Sequence, residues 1–563
     1  MFELLLLTGL VWLTYYGVLG CGFVSDDLEG IHGYDGKLKK MDYGHLNKWI
    51  LNKIFGKDPF MNHVFSVLLH NANCILLYLF LSNYIGMYAL YTAILFAVHP
   101  ICAQAVGWIS GRGYPISLFF TLLGYNLIAS FHQPLLAFNS WVTAVVVLGW
   151  CVFYYLAIEA QFATLITFVI MAFLGNYFLA ALGLTISIIA TMGIITEVIG
   201  IRVKAFKAQD LGGSTTLRPQ KIVVALKSFY YYTLLCFFPR RLGLYHTYLY
   251  HYTDETERED KYSWRGLGLL ILAGIGFWFG SFAVKLGILW WVSYSIIFWN
   301  WITIHQMFSE RYIYIASIGI CILTAVLLVN YPLVFWFVVG LAVMRTWAHL
   351  PTFNDEIYFY QSNIWNFPMS EVAFANLGVV YLNVGKQGSA MDMWTISAKI
   401  NPEYDVPYYN MHSIYKQKGD INNALMCLEK AVNSKVCHFK ESWGKELEDL
   451  KREIAFANEF NAMFGELVSK NTPESLALKS QLEAINLLGK NIEDDRKQKV
   501  NILTQEQEKI KQHLQNLEVE KTKVDRGVTM EELLQKRAEL FAGIKQEYQR
   551  IKEEGVCANS KVE

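Results

Sequence analysis

About eleven stretches of this chain are apolar enough to be read as membrane-crossing helices, and that count constrains the fold more than any other feature. A helix needs roughly 20 apolar residues to cross the hydrocarbon layer. The stretches run over about 2–18, 62–83, 86–99, 114–131, 141–158, 163–180, 182–202, 265–283, 285–302, 312–329 and 331–346, the third being short. Composition agrees, because 54% of the 563 residues are hydrophobic and only 17% are charged, which places the chain with membrane proteins. The expected class is mostly α: a polytopic helical bundle over 1–350, a short helical-repeat region over 351–436 and a charged helical tail over 437–563.

Several function classes drop out. Lys plus Arg and Asp plus Glu each number 48, so no basic domain stands ready to neutralise a nucleic-acid backbone. The nine cysteines form no CxxC pair and no Cys/His cluster, which argues against a zinc site or a disulfide scaffold. Cys74, Cys151 and Cys321 fall inside apolar stretches, where cysteine acts as a small hydrophobe. The N-terminal run "MFELLLLTGLVWLTYYGV" has neither a basic start nor a small-residue cleavage site, so it reads as a retained first span.

Eleven spans put the two termini on opposite sides. With a cytoplasmic N-terminus, one outer face collects Asp26 and Asp27, "HPICAQAVGWISGRGYP", Glu159, "FFPRRLGLYHTY", "FSERYIY" and everything after Arg345. Ionisable groups at the membrane rim are functional candidates by default. The positive-inside rule opposes this orientation, since Arg112, Arg240, Arg241 and Arg311 would all lie outside. Either the orientation is reversed or those arginines are kept outside by a task such as holding phosphate. The segment "PQKIVVALKSFYYYTLLCFFPRRLGLY" carries Lys227 and three tyrosines, which suits a helix lying in the interface; as a twelfth span it would move the C-terminal region across.

The soluble end repeats itself at a period of 34. Phe374, Leu377, Gly378, Tyr381, Gly385, Ala390, Trp394 and Pro402 recur as Tyr408, Met411, His412, Tyr415, Gly419, Ala424, Leu428 and Val436. This is the tetratricopeptide pattern, with His412 and Val436 departing from it; an ordinary helical hairpin bundle is the alternative. "DEIYFYQSNIWNF" supplies the second helix of a truncated repeat ahead of Pro368. Farther on, Leu503, Ile510, Leu517 and Val524 recur every seven residues with Leu514 between them, which is coiled-coil or long amphipathic helix chemistry. Thr529 and Glu532 form a capping box that restarts the helix, with Leu533, Leu540, Ile544, Tyr548 and Ile551 on its apolar side.

Asp26 and Asp27 pose the chemical question. Neighbouring residues do not face each other on a helix or a strand, so the pair does not suit a hydrolytic acid and base set across a glycosidic bond. One carboxylate suffices where the leaving group departs without a proton, as phosphate does, given cations to stabilise it. The alternative is that both acids cap a short helix beginning near Leu28.

Five ordered motifs, "GFVSDDLEGI", "HVFSVLLHNANCILLYLF", "LFAVHPICAQAVGWISGRGYPISLFF", "FSERYIYIASIG" and "RTWAHLPTFNDEIYFYQ", lead into the repeats. Over residues 1 to about 436 the chain resembles the transmembrane and tetratricopeptide repeat-containing O-mannosyltransferases and their bacterial relatives. The resemblance implies the C-type glycosyltransferase (GT-C) fold and an inverting, metal-independent enzyme without a cofactor, whose donor is a polyprenyl-phosphate sugar. It implies that Asp26 or Asp27 is the catalytic acid residue and that Glu310 and Arg311 stand near the donor phosphate. His99, Trp108 and Arg112 match the family's His-Pro to Gly-Arg segment, and Glu159 matches the acid after its fifth span. Arg240 and Arg241 join the phosphate candidates on charge alone. The chain departs from the family at Gln104, where an acid is usual, and at Ile158, where a lysine is usual. Its repeat array is shorter than that of the animal enzymes.

The expected function is transfer of one sugar, mannose or another hexose, from polyprenyl phosphate to a hydroxyl, with Ser/Thr of an acceptor protein as the favoured target. The expected setting is a bacterial inner membrane or an endoplasmic reticulum membrane, with the site and repeats on the outer or lumenal face. Expected partners are the lipid bilayer, the acceptor protein and a protein held by repeats and tail. The competing class is a non-catalytic membrane scaffold that recruits a partner. A transporter carries less weight, because broken helices and midplane charges are few.

Overall fold

A computed structural model describes residues 1–27, 54–129, 169–170, 172–175, 219–244, 246, 260–300, 308–434, 437 and 439–469. These residues are mostly helical, with no strand among them. In the first part the helices are α1 (Phe2–Tyr15), α2 (Pro59–Ile85), α3 (Tyr88–Val98), α4 (Cys102–Gly107), α5 (Gly113–Ala129), α6 (Pro219–Phe237), α7 (Asp260–Phe279), α8 (Phe282–Ser295), α9 (Ser317–Leu328) and α10 (Pro332–His349). The later ones are α11 (Glu356–Asn366), α12 (Glu371–Asn383), α13 (Gln387–Ile400), α14 (Asp405–Gln417), α15 (Ile421–Asn433) and α16 (Lys440–Ser469). The chain divides into two compact units, Met1–Leu450 and Lys451–Glu563, so the expected divisions after 350 and 436 both fall inside the first.

Among the described residues, four segments are long and apolar enough to cross a membrane: Phe2–Gly20, Pro59–Ile85, Tyr262–Phe279 and Pro332–Phe353. They overlay the expected spans at 2–18, 62–83, 265–283 and 331–346. The stretches expected at 86–99, 285–302 and 312–329 form shorter apolar helices, and that at 114–131 becomes the 17-residue α5. The stretches expected at 141–158 and 182–202 lie outside the described residues, as does most of 163–180.

Helix α3 explains why an apolar run can be short. Every residue from Thr92 to Val98 is buried, because α1, α2, α9 and α10 pack around it. A helix apolar on all sides is satisfied inside a bundle at any length. By contrast α7 and α10 leave Trp278, Phe279, Leu333 and Phe337 more than 60% exposed, an outward apolar surface of the kind lipid tails cover. Helix α6, expected in the interface, packs on α7 and α9 and buries Lys227.

The 34-residue register reappears in the hairpins α12–α13 and α14–α15. Their turns place Gly385 at φ +78° and Gly419 at φ +74°, the left-handed region that favours glycine. In the first hairpin a Cβ at Gly378 would run into the Trp394 indole. In the second the pair is exchanged for His412 and Leu428, so the bulk changes sides. The His412 ring then fills the crossing and meets the Ala424 carbonyl at 2.8 Å. Val436 and the heptad and capping residues of the tail, Leu503 to Ile551, lie outside the described residues.

Helices α8 and α9 cross backbone to backbone. A Cβ on Gly319 would come 2.5 Å from both the Gly287 carbonyl oxygen and the Trp291 amide, neither of which can rotate away. A Cβ on Gly340 meets nothing within 4 Å. Gly319→Ala is expected to lower stability by about 1–3 kcal/mol through overpacking, while Gly340→Ala leaves it unchanged or slightly raised. Thermal unfolding of the two variants in the same detergent checks this.

Candidate functional site

The loop that carries the two aspartates leaves the 3-10 turn Tyr16–Gly20 in extended conformation at Cys21 and is gripped on several sides. Gly22 N donates to the Asn354 carbonyl at 3.0 Å, an approach so close that a Cβ there would lie 2.9 Å from the same oxygen. The His63 Nε2 reaches the Gly22 carbonyl at 3.2 Å, and the Trp108 Nε1 donates to the Val24 carbonyl at 3.2 Å. Ser25 follows at φ +54°, uncommon for a residue other than glycine.

The two carboxylates that follow this turn part company. Asp27 is 2% exposed; its Oδ1 accepts from Ser110 N at 2.6 Å and its Oδ2 from Val24 N at 3.3 Å. Asp26 is exposed, and its Oδ1 accepts from the Ser25 hydroxyl at 3.4 Å. Asp27 is a buried brace between two loops, and Asp26 is the carboxylate within reach of solvent. Helical geometry begins at Asp26 itself, two residues before the expected Leu28.

The segment from His99 to Arg112 builds the floor. His99 caps α3, accepts from Ile101 N on Nδ1 at 3.3 Å and reaches the Cys236 carbonyl with Nε2 at 3.1 Å, so both ring nitrogens are engaged by main chain. Gln104 Oε1 accepts from the Ser309 hydroxyl at 2.8 Å and from Arg311 N at 2.7 Å. Arg112 is buried and donates to Ser66 Oγ at 3.0 Å and to the Asn62 carbonyl at 2.9 Å and Oδ1 at 3.3 Å. Its guanidinium also lies 5.3 Å from the Phe65 ring. Burial pulls the Arg112 guanidinium down to about 10, with the Asp27 carboxylate opposing, which keeps it cationic at neutral pH. Helix α2 thus holds Arg112 as a structural cation.

Glu310 and Arg311 part company as the aspartates do. Glu310 is 1% exposed and accepts from Gly243 N at 2.6 Å and from His246 Nε2 at 2.9 Å. The other nitrogen of His246 lies 2.7 Å from the Tyr231 hydroxyl. Arg311 is half-buried, with its guanidinium 4.6 Å from the Trp108 ring and 5.1 Å from the Tyr312 ring. Such stacking holds the guanidinium plane against the two rings. Arg240 and Arg241 are exposed, and Arg345 fixes their turn by donating to the carbonyls of Pro239 at 2.8 Å and Arg240 at 3.2 Å. Glu159 lies outside the described residues.

No family model, curated protein or solved structure matches the chain.

Chemically, the arrangement offers a solvent-facing carboxylate and a ring-stacked guanidinium joined through one indole, since Trp108 bonds the Asp26 loop with its N–H and carries Arg311 on its face. The structure brings Asp26, Asp27, Trp108, Arg112 and, through Trp108, Arg311 together; His99 and Arg240 belong to neighbouring braces. His246, Tyr231, Asn62 and Ser66 were not anticipated. The one signal for His246 is a lone histidine among aromatics in "LGLYHTY", beside the arginine pair. The Gln104 oxygen is the testable joint. Gln104→Glu keeps an acceptor for both donors and is expected to fold as the parent does. Gln104→Leu strands the Ser309 hydroxyl and the Arg311 amide and is expected to cost about 1–3 kcal/mol of stability, read by thermal unfolding of both variants.

Proposed function

We propose that the chain is a membrane-embedded, inverting glycosyltransferase of the C-type fold, moving one hexose from a polyprenyl-phosphate donor to a hydroxyl of an acceptor protein. The full reading has eleven spans, two tetratricopeptide repeats after a partial one, and a site on the outer or lumenal face. In this reaction the acceptor oxygen attacks the anomeric carbon from the face opposite the phosphate. The bond to phosphate breaks with its electron pair, and the acceptor proton passes to Asp26. Arg311 neutralises the departing phosphate; Asp27, Trp108 and Arg112 hold base and cation in place. Glu310 with His246 anchors the strand of chain before Arg311.

One observation carries the reading: of the two adjacent acids, only Asp26 is directed to solvent, on a loop bonded to the same Trp108 that supports Arg311. An exposed base near a positioned cation is what phosphate departure from an anomeric carbon requires. The scaffold reading has its own support, an open groove of about 570 Å³ lined by Ile364, Trp365, Phe374, Leu377, Tyr381 and Met393. Such an apolar groove suits a bound protein segment.

The deciding assay measures release of free polyprenyl phosphate by purified protein offered a panel of polyprenyl-phosphate sugars and acceptor peptides. Asp26→Asn is expected to lose about 100-fold or more in turnover with unchanged thermal stability. Asp27→Asn is expected to lose stability, because it removes the charge that its buried amide donors and Arg112 face. Full activity in Asp26→Asn sinks the mechanism; no release by folded wild-type protein with any donor leaves the scaffold.

A further inference from the structure

The helix that opens the soluble region reaches back into the candidate site. Tyr360 on α11 is 5% exposed, and its hydroxyl donates to Ser25 Oγ at 3.2 Å. The single Ser25 proton is directed to Asp26 Oδ1 at 3.4 Å, so the hydrogen bonds run one way, from phenol to serine to carboxylate. Four residues earlier on the same helix face, burial raises the Glu356 carboxyl, with the Ser25 main chain opposing. Burial raises the Tyr360 phenol, with the Ser25 hydroxyl and the Asn376 side chain opposing.

Ser25 needs this hold. A non-glycine residue in the left-handed region is strained and persists where its surroundings over-determine it. Without the turn, the extended chain would carry Asp26 and Asp27 to opposite sides by simple alternation, but nothing would fix which way Asp26 points. The Asn354 carbonyl on Gly22 N and the Asn354 side chain 3.2 Å from Cys21 Sγ seat the start of the loop on the same stretch of chain.

We propose that Tyr360 is a positioning residue of the transfer reaction, acting through the Ser25 hydroxyl to orient Asp26, so that the first soluble helix is part of the active site. The role of Asp26 as base rests on the transferase reading; the hold on the turn does not. The Tyr360 hydroxyl holds the serine, and α11 leads into α12, whose Phe374, Leu377 and Tyr381 line the apolar groove. A carboxylate pre-set by this chain of bonds meets the acceptor hydroxyl without first losing rotational freedom.

The test uses full-length protein and two variants. Tyr360→Phe keeps the ring and removes the donor. Ser25→Gly accepts φ +54° without strain and removes the relay hydroxyl alone. Hydrogen exchange read by mass spectrometry is expected to rise over 21–27 in Tyr360→Phe while peptides from α2 stay as in wild type. In the release assay both variants are expected to lose about tenfold in kcat, the worth of one hydrogen bond, with the donor KM unchanged. Wild-type exchange and wild-type kcat in Tyr360→Phe overturn the proposal. So does a kcat loss in Tyr360→Phe with none in Ser25→Gly, because the effect then bypasses the serine. Wild-type protein without turnover removes the transferase reading, and the exchange comparison then decides alone whether Tyr360 holds the turn.

Discussion

A carboxylate taken out of water must find donors of its own, and Asp27 finds main-chain amides at both of its oxygens. One belongs to its own loop and the other to the turn that carries Ser110 and Arg112, so the burial of a single charge ties the first connection of the chain to the one between α4 and α5. Losing those donors would leave the desolvation cost of the charge unmet, which is why such contacts are rigid. The same two loops are joined a second time by the Trp108 N–H on the Val24 carbonyl. With both joints made, the residues on either side of the Ser25–Asp26 pair, Val24 and Asp27, are pinned.

Much of the helical architecture was legible because apolar runs and a 34-residue period are physical signals that do not depend on distant partners. The α3 run was correctly placed and its shortness noted, but only the packing of α1, α2, α9 and α10 shows why a short helix suffices. The rule that neighbours along a chain do not face each other is what the Asp pair obeys. The turn just ahead of them is made by a serine where glycine is the usual choice, so no local signal marked it. His246 was out of reach for another reason: its partner Glu310 is 64 residues away, and neither residue type announces the pairing. Arg112 was read among the phosphate candidates; its acceptors Asn62 and Ser66, 50 and 46 residues earlier, carried no local signal.

The two buried acids show how the site sorts its charges. Glu310 is held by an amide and an imidazole, and Asp27 by amides with Arg112 close enough to feel its field. Each buried carboxylate therefore has donors that do not depend on a ligand. Asp26 and Arg311 differ in kind, being the members of the two motifs whose side chains are directed outward or stacked on a ring. Adjacent residues in "SDD" and in "SER" divide in the same way, one bracing the fold and its neighbour reaching past it, in opposite chain order.

Gln104 gives this division a further consequence. Its side-chain oxygen receives the Ser309 hydroxyl and the Arg311 amide, two bonds that a carboxylate could accept in the same geometry. An amide keeps the clamp and removes a negative charge from beside the Arg311 main chain. The glutamine thus makes the joint between its own turn and the Ser309–Arg311 stretch without a charge.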